Sequence, residues 1–276
     1  MIPFTKMHGI GNDFVLVDAI RRPLDGSDLS ELARRICDRK LGIGADGLIL
    51  VENGGSAPFR MRMFNPDGSE GEMCGNGVRC IALFLRDEGH TRAEEIPLET
   101  GAGTLSLQVL GDGKVRVDMG RAGLTRGDVG MDGDPSERFI NEPMEAAGYE
   151  IRGTAVSMGN PHLIAFVEDA RSWPLDEAGP AFERHHLFPR RTNVHFVQVL
   201  DRRTLVQRTW ERGAGATLAC GTGACASTVA AWLNGLAERS TTVRLPGGEL
   251  EIEYAEDGTV WMTGPAATVF SGVWPG

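Results

Sequence analysis

The feature that most constrains this chain is an internal duplication. "FNPDGSEGEMCGNGVRCIALFL" (residues 64–85) is echoed by "TWERGAGATLACGTGACASTVAAWL" (209–233), with Cys74 answering to Cys220 and Asn65 to Glu211. The same spacing carries "TGAGTLSLQVLGDGKVRVDMG" (100–120) onto "PGGELEIEYAEDGTVWMTG" (246–264), and a nearly equal one carries "GNDF" (11–14) onto "GNPH" (159–162). Self-similarity over so long a period means two copies of one folding unit rather than a solenoid of short repeats. The expected organisation is an N-terminal lobe over 1–118, completed by the tail 266–276, and a C-terminal lobe over 119–265. The stretch 121–150, rich in glycine and charge, reads as the connector. A ligand site is expected in the cleft between such copies.

Within each copy the pattern mixes strand and helix. "FVLVDAI" and "LILVE" are short apolar runs suited to strands, and the chain alternates around Asp112-Gly113, and again around Asp257-Gly258, as a hairpin does. "SDLSELARRICDRKLG" places Leu29, Leu32, Ala33, Ile36 and Cys37 at helical spacing, with Ser27 or Asp28 as cap and Gly42 as the stop. The string "GIGADG" (42–47) fits a dinucleotide fingerprint, but it follows a helix and precedes a strand, the reverse of the required order.

The 276 residues carry a formal net charge of −10, which disfavours nonspecific attraction to nucleic acid. Membrane spans need roughly 18 consecutive apolar residues, and none is found; the opening "MIPFTKMHGIGNDF" lacks the form of a signal peptide, so the expected address is the cytoplasm. Five cysteines, Cys37, Cys74, Cys80, Cys220 and Cys225, are an odd number in a chain too long to need stapling, which argues against a disulfide framework. Their spacing also differs from that of zinc sites, so no metal is expected. Cys80 and Cys225 fall inside helical runs and read as buried packing residues, as does Cys37.

Cys74 and Cys220 are different, because each stands where a glycine-rich loop opens a helix. Free backbone N–H groups cluster at such a place, attract anions and favour thiolate over thiol. Two such thiols acting on one carbon suggest a specific reaction: one removes a proton from one face while the other returns a proton to the opposite face, inverting the centre without a redox carrier. The helix N-termini would hold an α-carboxylate and stabilise the charge that develops as the proton leaves.

Five strings, "KMHGIGNDF", "FNPDGSEGEMCGNGVRC", "GNPH", "TNVHFV" and "ERGAGATLACGTGACAS", together resemble the diaminopimelate epimerase family over the whole chain. The resemblance implies an α/β (α+β) fold of two pseudo-symmetric duplicated domains, each a curved, mostly antiparallel sheet or barrel around a central helix, with the active site in the interdomain cleft. It implies interconversion of the LL and meso forms of 2,6-diaminopimelate, for lysine and peptidoglycan precursors, with no pyridoxal phosphate or other cofactor. The chain's lysines are Lys6, Lys40 and Lys114, few candidates for the Schiff base that cofactor requires. Carried over by position, Cys74 and Cys220 are the two acid/base residues, and Gly75, Asn76, Gly221 and Thr222 form the carboxylate cradle. Asn12, Asn65, Asn160, Asn193, Glu211 and Arg212 match substrate-binding positions, Arg212 suiting a distant carboxylate through its planar fork. His162 and Glu211 match positions that tune the thiols, and Gly47 offers no side-chain contact where some members carry Gln. The implied partners are the small-molecule substrate and a second copy of the chain in a homodimer, with no nucleic acid or membrane. The rival readings are a proline racemase or hydroxyproline epimerase, which usually has His where Asn76 stands; a phenazine-biosynthesis-like isomerase, which usually lacks the cysteine pair; and a redox-switch thiol protein.

Overall fold

The computed structural model describes residues 1–24 and 26–275. They form two compact units, Met1–Asp118 with Gly264–Gly276, and Met119–Thr263.

The first unit runs β1 (Ile2–Gly9), β2 (Asn12–Asp18), α1 (Leu29–Cys37), β3 (Gly47–Asn53), β4 (Phe59–Phe64), β5 (Glu70–Gly71), α2 (Gly75–Asp87), β6 (Glu95–Thr100), β7 (Gly103–Val109) and β8 (Val115–Arg121). Successive pairings are antiparallel for β1–β2, β3–β4, β6–β7 and β7–β8, and parallel for β2–β3 and β4–β6, where α1 and α2 supply the crossovers. Helix α1 is capped by Asp28, whose side chain accepts from the Glu31 N–H. It ends at Cys37, earlier than a stop at Gly42 requires. Gly42 instead lies where the chain folds back over the helix end: a Cβ there would stand 2.2 Å from the Arg35 carbonyl oxygen.

The strand runs are apolar throughout because both faces are covered. Val15, Val17, Leu48 and Leu50 pack with Ala33, Ile36 and Cys37 of α1. Ile49 projects oppositely, its Cδ1 lying 2.9 Å from where a Cβ on Gly77 of α2 would be. Helix α2 is buried from Gly75 to Ala82 without a break, and the thiols of Cys37 and Cys80 are each pushed up to about 12 by burial, so both are inert packing groups.

The second unit runs α3 (Arg126–Val129), β9 (Glu142–Ala146), β10 (Tyr149–Ser157), β11 (Pro161–Phe166), α4 (Leu175–Glu183), β12 (Asn193–Asp201), β13 (Thr204–Glu211), β14 (Gly215–Thr217), α5 (Gly221–Leu233), β15 (Ser240–Leu245), β16 (Gly248–Tyr254) and β17 (Thr259–Gly264). From β10 onward it repeats the pairing pattern of the first: β10–β11 antiparallel, β11–β12 parallel, β12–β13 antiparallel, β13–β15 parallel, then two antiparallel pairs. Leu163, Ala165, Val194 and Phe196 pack with Leu175, Ala178 and Phe182 of α4. Helix α5 is rich in Gly, Ala, Ser and Thr, and packs closely against β10, β11, β12, β13, β15 and β16; Cys225 is fully buried within it.

The stretch 121–150 is more than a connector, because it contains α3 and β9, and β9 pairs antiparallel with β10. Its counterpart is β18 (Ala267–Trp274), which pairs antiparallel with β1. Each copy's last hairpin thus leads into a strand that borders the other copy's first strand in the sequence order.

Candidate active site

The first half-site lies at the start of α2. Cys74 is the N-cap, in extended conformation (φ −136°, ψ 119°), and its side chain makes no capping bond to the helix. The glycine-rich sequence after it leaves the first-turn amides unobstructed by side chains at Gly75 and Gly77. The Cys74 thiol donates to Asn12 Oδ1 at 3.5 Å, and Asn76 Nδ2 donates to the same oxygen at 3.0 Å. Asn12 Nδ2 in turn donates to Asp46 Oδ2 at 2.7 Å. Asn76 is held from its other side by Arg79, which donates to Asn76 Oδ1 at 2.9 Å, to the Gly75 carbonyl at 3.1 Å and to the Pro265 carbonyl at 3.2 Å. Arg79 is fully buried, so its charge is spread over a cage of carbonyl and amide oxygens.

Asp46 is tied to a further ionic group. Arg39 bridges Asp13 and Asp46 at 2.7 Å each, and Lys6 pairs with Asp13 and donates to the Gly44 carbonyl. Burial raises the Asp13 pKa, but the hydrogen bonds from Arg39 and Lys6 outweigh it and bring the value to about 2. The Lys6 ammonium is therefore committed to structure. Asn65 stands apart in the turn between β4 and β5, its amide donating to Ser69 Oγ at 3.0 Å.

The second half-site lies at the start of α5, where Cys220 is the N-cap with nearly the same backbone (φ −124°, ψ 104°) and again no side-chain capping bond. It is almost fully buried, with Thr222 Oγ1 at 3.7 Å from its sulfur. None of the five cysteines is joined in a disulfide. Asn193, at the start of β12, spends its carboxamide on the backbone: Nδ2 donates to the Pro161 carbonyl at 2.9 Å and Oδ1 accepts from the Arg212 N–H at 3.0 Å. That clamp fixes the turn holding Arg212, whose guanidinium donates to the Arg190 carbonyl at 3.3 Å. Glu211 accepts from Thr217 Oγ1 at 2.6 Å. His162, fully buried on β11, contacts Asn160 Oδ1 at 2.8 Å and His195 Nε2 at 2.8 Å. Burial, then the neighbouring His195 and Arg212, hold the His162 pKa well below its ordinary value, so the ring is neutral.

A sequence profile of the diaminopimelate epimerase family matches residues 4–125 and 154–269. The chain is 53% identical over 277 aligned positions to the diaminopimelate epimerase of Moorella thermoacetica, covering 99% of each chain. The chain belongs to the diaminopimelate epimerase family. Among solved structures it is similar to a phenazine biosynthesis protein of the PhzF family from Bacillus anthracis (TM-score 0.70, 17% identity, 99% of each chain). It is likewise similar to a probable proline racemase from Agrobacterium radiobacter (TM-score 0.71, 16% identity, 99% and 93%). At such identities the likeness speaks to the fold alone: the duplicated α/β architecture is shared beyond the diaminopimelate epimerase family.

Several residues around the two thiols carry no signal in cysteine spacing or glycine motifs. Asp46, just before β3, acts on Asn12 from another element, with Arg39 bonded behind it, and the fold-back of the chain brings them there, whereas Arg79 reaches Asn76 from one turn further along α2. His195 carries no such signal either; with His162 and Cys220 it offers ligand atoms within 4.8 Å of one another. Linear spacing conceals this group, since its members come from β11, β12 and the turn into α5. Both nitrogens of both rings are engaged in hydrogen bonds, so a cation could enter only by breaking some of these bonds.

Proposed function

We propose that this chain is an isomerase that interconverts LL- and meso-2,6-diaminopimelate by proton transfer at Cα between two cysteines, without a cofactor. The observation that carries the reading is the placement of both thiols at the N-caps of the two duplicated core helices, in matching backbone conformations. In one direction Cys220 as thiolate takes the Cα proton and Cys74 as thiol gives its proton to the opposite face; in reverse the roles exchange, so atoms and charge balance over each turnover. The amides of Gly75 and Asn76, and those of Gly221 and Thr222, receive the reacting carboxylate at the two helix starts. Asn76 acts here through its backbone, because its side chain is bound by Asn12 and Arg79. The carboxamide of Asn12 accepts from the Cys74 thiol, which orients that proton. Asn65, Asn160, Glu211 and Arg212 complete recognition of the distal end of the substrate, with Asn193 holding Arg212 in place, and His162 and Glu211 set the surroundings of Cys220.

The whole-length relative at 53% identity favours diaminopimelate over proline or hydroxyproline. The net charge of −10 argues against nucleic acid, and no helix among the described residues is long and apolar enough to cross a membrane. We place the protein in the cytoplasm as a homodimer; the exposed Val269, Phe270 and Val273 of β18 are apolar surface that a second copy could cover.

The test is incubation of reduced protein with LL-diaminopimelate in deuterated water, following meso product and deuterium at Cα. Both should appear, and Cys74→Ala and Cys220→Ala should each abolish epimerisation. Absence of both signals with wild-type protein, or turnover of proline instead, would refute the assignment.

A further inference from the structure

The two copies differ sharply beneath the first turn of their core helices. In the first unit the pairing places Phe14 opposite Gly47 and Ile49 opposite Met63, with Met61 two residues before Met63 on β4. In the second, the corresponding pairs are His162 with Asn193 and His195 with Thr209, with Gln207 two residues before Thr209 on β13. One copy therefore seats its helix on Phe14, Ile49, Met61 and Met63, and the other on His162, His195, Gln207 and Thr209. All of these polar residues are at most 1% exposed. The fold does not require polar groups there, since the apolar version exists in the same chain, and burying unneeded hydrogen-bonding groups costs stability.

The polar set forms a chain of hydrogen bonds with one consistent direction. Gln207 Nε2 donates to Thr209 Oγ1 at 2.9 Å, and Thr209 Oγ1 lies 3.0 Å from His195 Nδ1. His195 Nε2 meets His162 Nδ1 at 2.8 Å, and His162 Nε2 meets Asn160 Oδ1 at 2.8 Å. A carbonyl oxygen can only accept, so His162 carries its proton on Nε2. Its Nδ1, in a neutral ring, must then accept, so His195 carries its proton on Nε2 and accepts at Nδ1 from the Thr209 hydroxyl. Neutrality of both rings follows from their burial. His195 also touches the helix: a Cβ on Gly223 would stand 2.3 Å from His195 Cε1, so the first turn of α5, led by Cys220, rests on the imidazole.

We propose that His195 is the positioning residue of the Cys220 half-site, fixing the tautomer of His162, thereby the orientation of the Asn160 amide, and seating the helix turn that carries the thiol. The inference rests on the epimerase reading for its kinetic consequence, but the tautomer it assigns is independent of turnover. With Asn160 Oδ1 bonded to His162, the donor end of the carboxamide, Nδ2, is the end we assign to a ligand. Loss of the His195 donor would free His162 to protonate at Nδ1 and Asn160 to turn over, exchanging donor for acceptor at the ligand.

The experiment combines ¹⁵N-histidine NMR of the full chain with kinetics of two variants. Wild-type protein at pH 7 should show His162 and His195 as neutral rings protonated at Nε2. His195→Leu, the apolar solution used by the first unit, should lower kcat/KM for diaminopimelate at least about tenfold, a change of about 1.4 kcal/mol, and populate the Nδ1–H tautomer of His162. His195→Gln, whose amide can reach His162 Nδ1, should restore the Nε2–H tautomer and most of the lost rate, in variants that melt together. A wild-type His162 protonated at Nδ1, or a His195→Leu enzyme with full kcat/KM, would overturn the proposal. Wild-type protein that leaves diaminopimelate unchanged would count against the epimerase reading alone, and the tautomers would then decide for or against the role of His195.

Discussion

The contact between α5 and His195 makes a sharp prediction about two glycines that look equivalent in sequence. Gly77 and Gly223 are the third residues of α2 and α5, and replacing a helical glycine by alanine ordinarily gains about 1 kcal/mol. At Gly223 the new Cβ would meet the His195 ring at 2.3, 2.9 and 2.9 Å, more than 1 Å inside ordinary contact with its nearest atom. The ring cannot move without breaking its bonds to His162 and Thr209, so overpacking of about 3 kcal/mol is expected, for a net loss of about 2 kcal/mol. At Gly77 the Cβ would crowd the ends of Ile49 and Met61, at 2.9 and 3.0 Å, and stand at an ordinary 3.6 Å from Cys74 Cβ. Those flexible tips can shift, leaving Gly77→Ala within about 1 kcal/mol of wild type. Thermal unfolding followed by circular dichroism at pH 7 should place Gly223→Ala about 4–8 °C below wild type and Gly77→Ala within about 4 °C of it. Adding His195→Ala to Gly223→Ala should make the pair less harmful than the sum of its parts by about 1 kcal/mol or more. Equal melting of the two glycine variants, or strict additivity of the double variant, would refute the claim that α5 is seated on the imidazole.

Arg79→Leu should destabilise the protein by about 3 kcal/mol or more, because it strips a charged donor from Asn76 and the Gly75 and Pro265 carbonyls, read as a fall in the unfolding midpoint. Iodoacetamide at pH 8 should modify Cys74, which is partly exposed, while Cys37 and Cys80, with thiols near 12, stay unmodified until the chain unfolds, as peptide mapping by mass spectrometry can follow. His195, pushed down to about 3 from 6.5 by burial, contributes stability that is whole above pH 6.5 and is lost as pH falls toward 3. The melting temperature of His195→Leu should therefore decline less than that of wild type between pH 7 and pH 5.

How much of this was legible beforehand depends on the range of the interaction. Local signals read well: the hairpins around Asp112-Gly113 and Asp257-Gly258, the Asp28 cap, and the cysteines at helix starts are set by residues within a few positions of one another. Asparagine identities read less well, because a carboxamide can hold a ligand or a backbone with equal ease. Asn193 binds the Pro161 carbonyl and the Arg212 amide, and Asn76, expected to serve through its backbone, has its side chain held by Asn12 and Arg79. The Asp46 and Arg39 network and β9 were invisible for another reason, as their partners are chosen by fold-back and strand register, on which composition is silent.

His195 is the instructive case, because a signal for it did exist within the duplication. Laid on the second copy at the spacing of the cysteines, Ile49, Met61 and Met63 become His195, Gln207 and Thr209, three changes from apolar to polar at positions that remain buried. Motif matching favours what the copies share and therefore finds Cys74, Cys220 and their glycines. A duplicated fold also contains its own control, since each copy shows what the architecture needs when the other's special groups are absent. Symmetry accounts for the two proton carriers; the broken symmetry beneath them implies that the thiols work in unlike surroundings, Cys74 facing the Asn12 amide and Cys220 standing over a neutral imidazole pair. Unlike surroundings are consistent with a substrate whose LL and meso forms are not mirror images, so the two directions of proton transfer need not present equivalent demands to the two sulfurs.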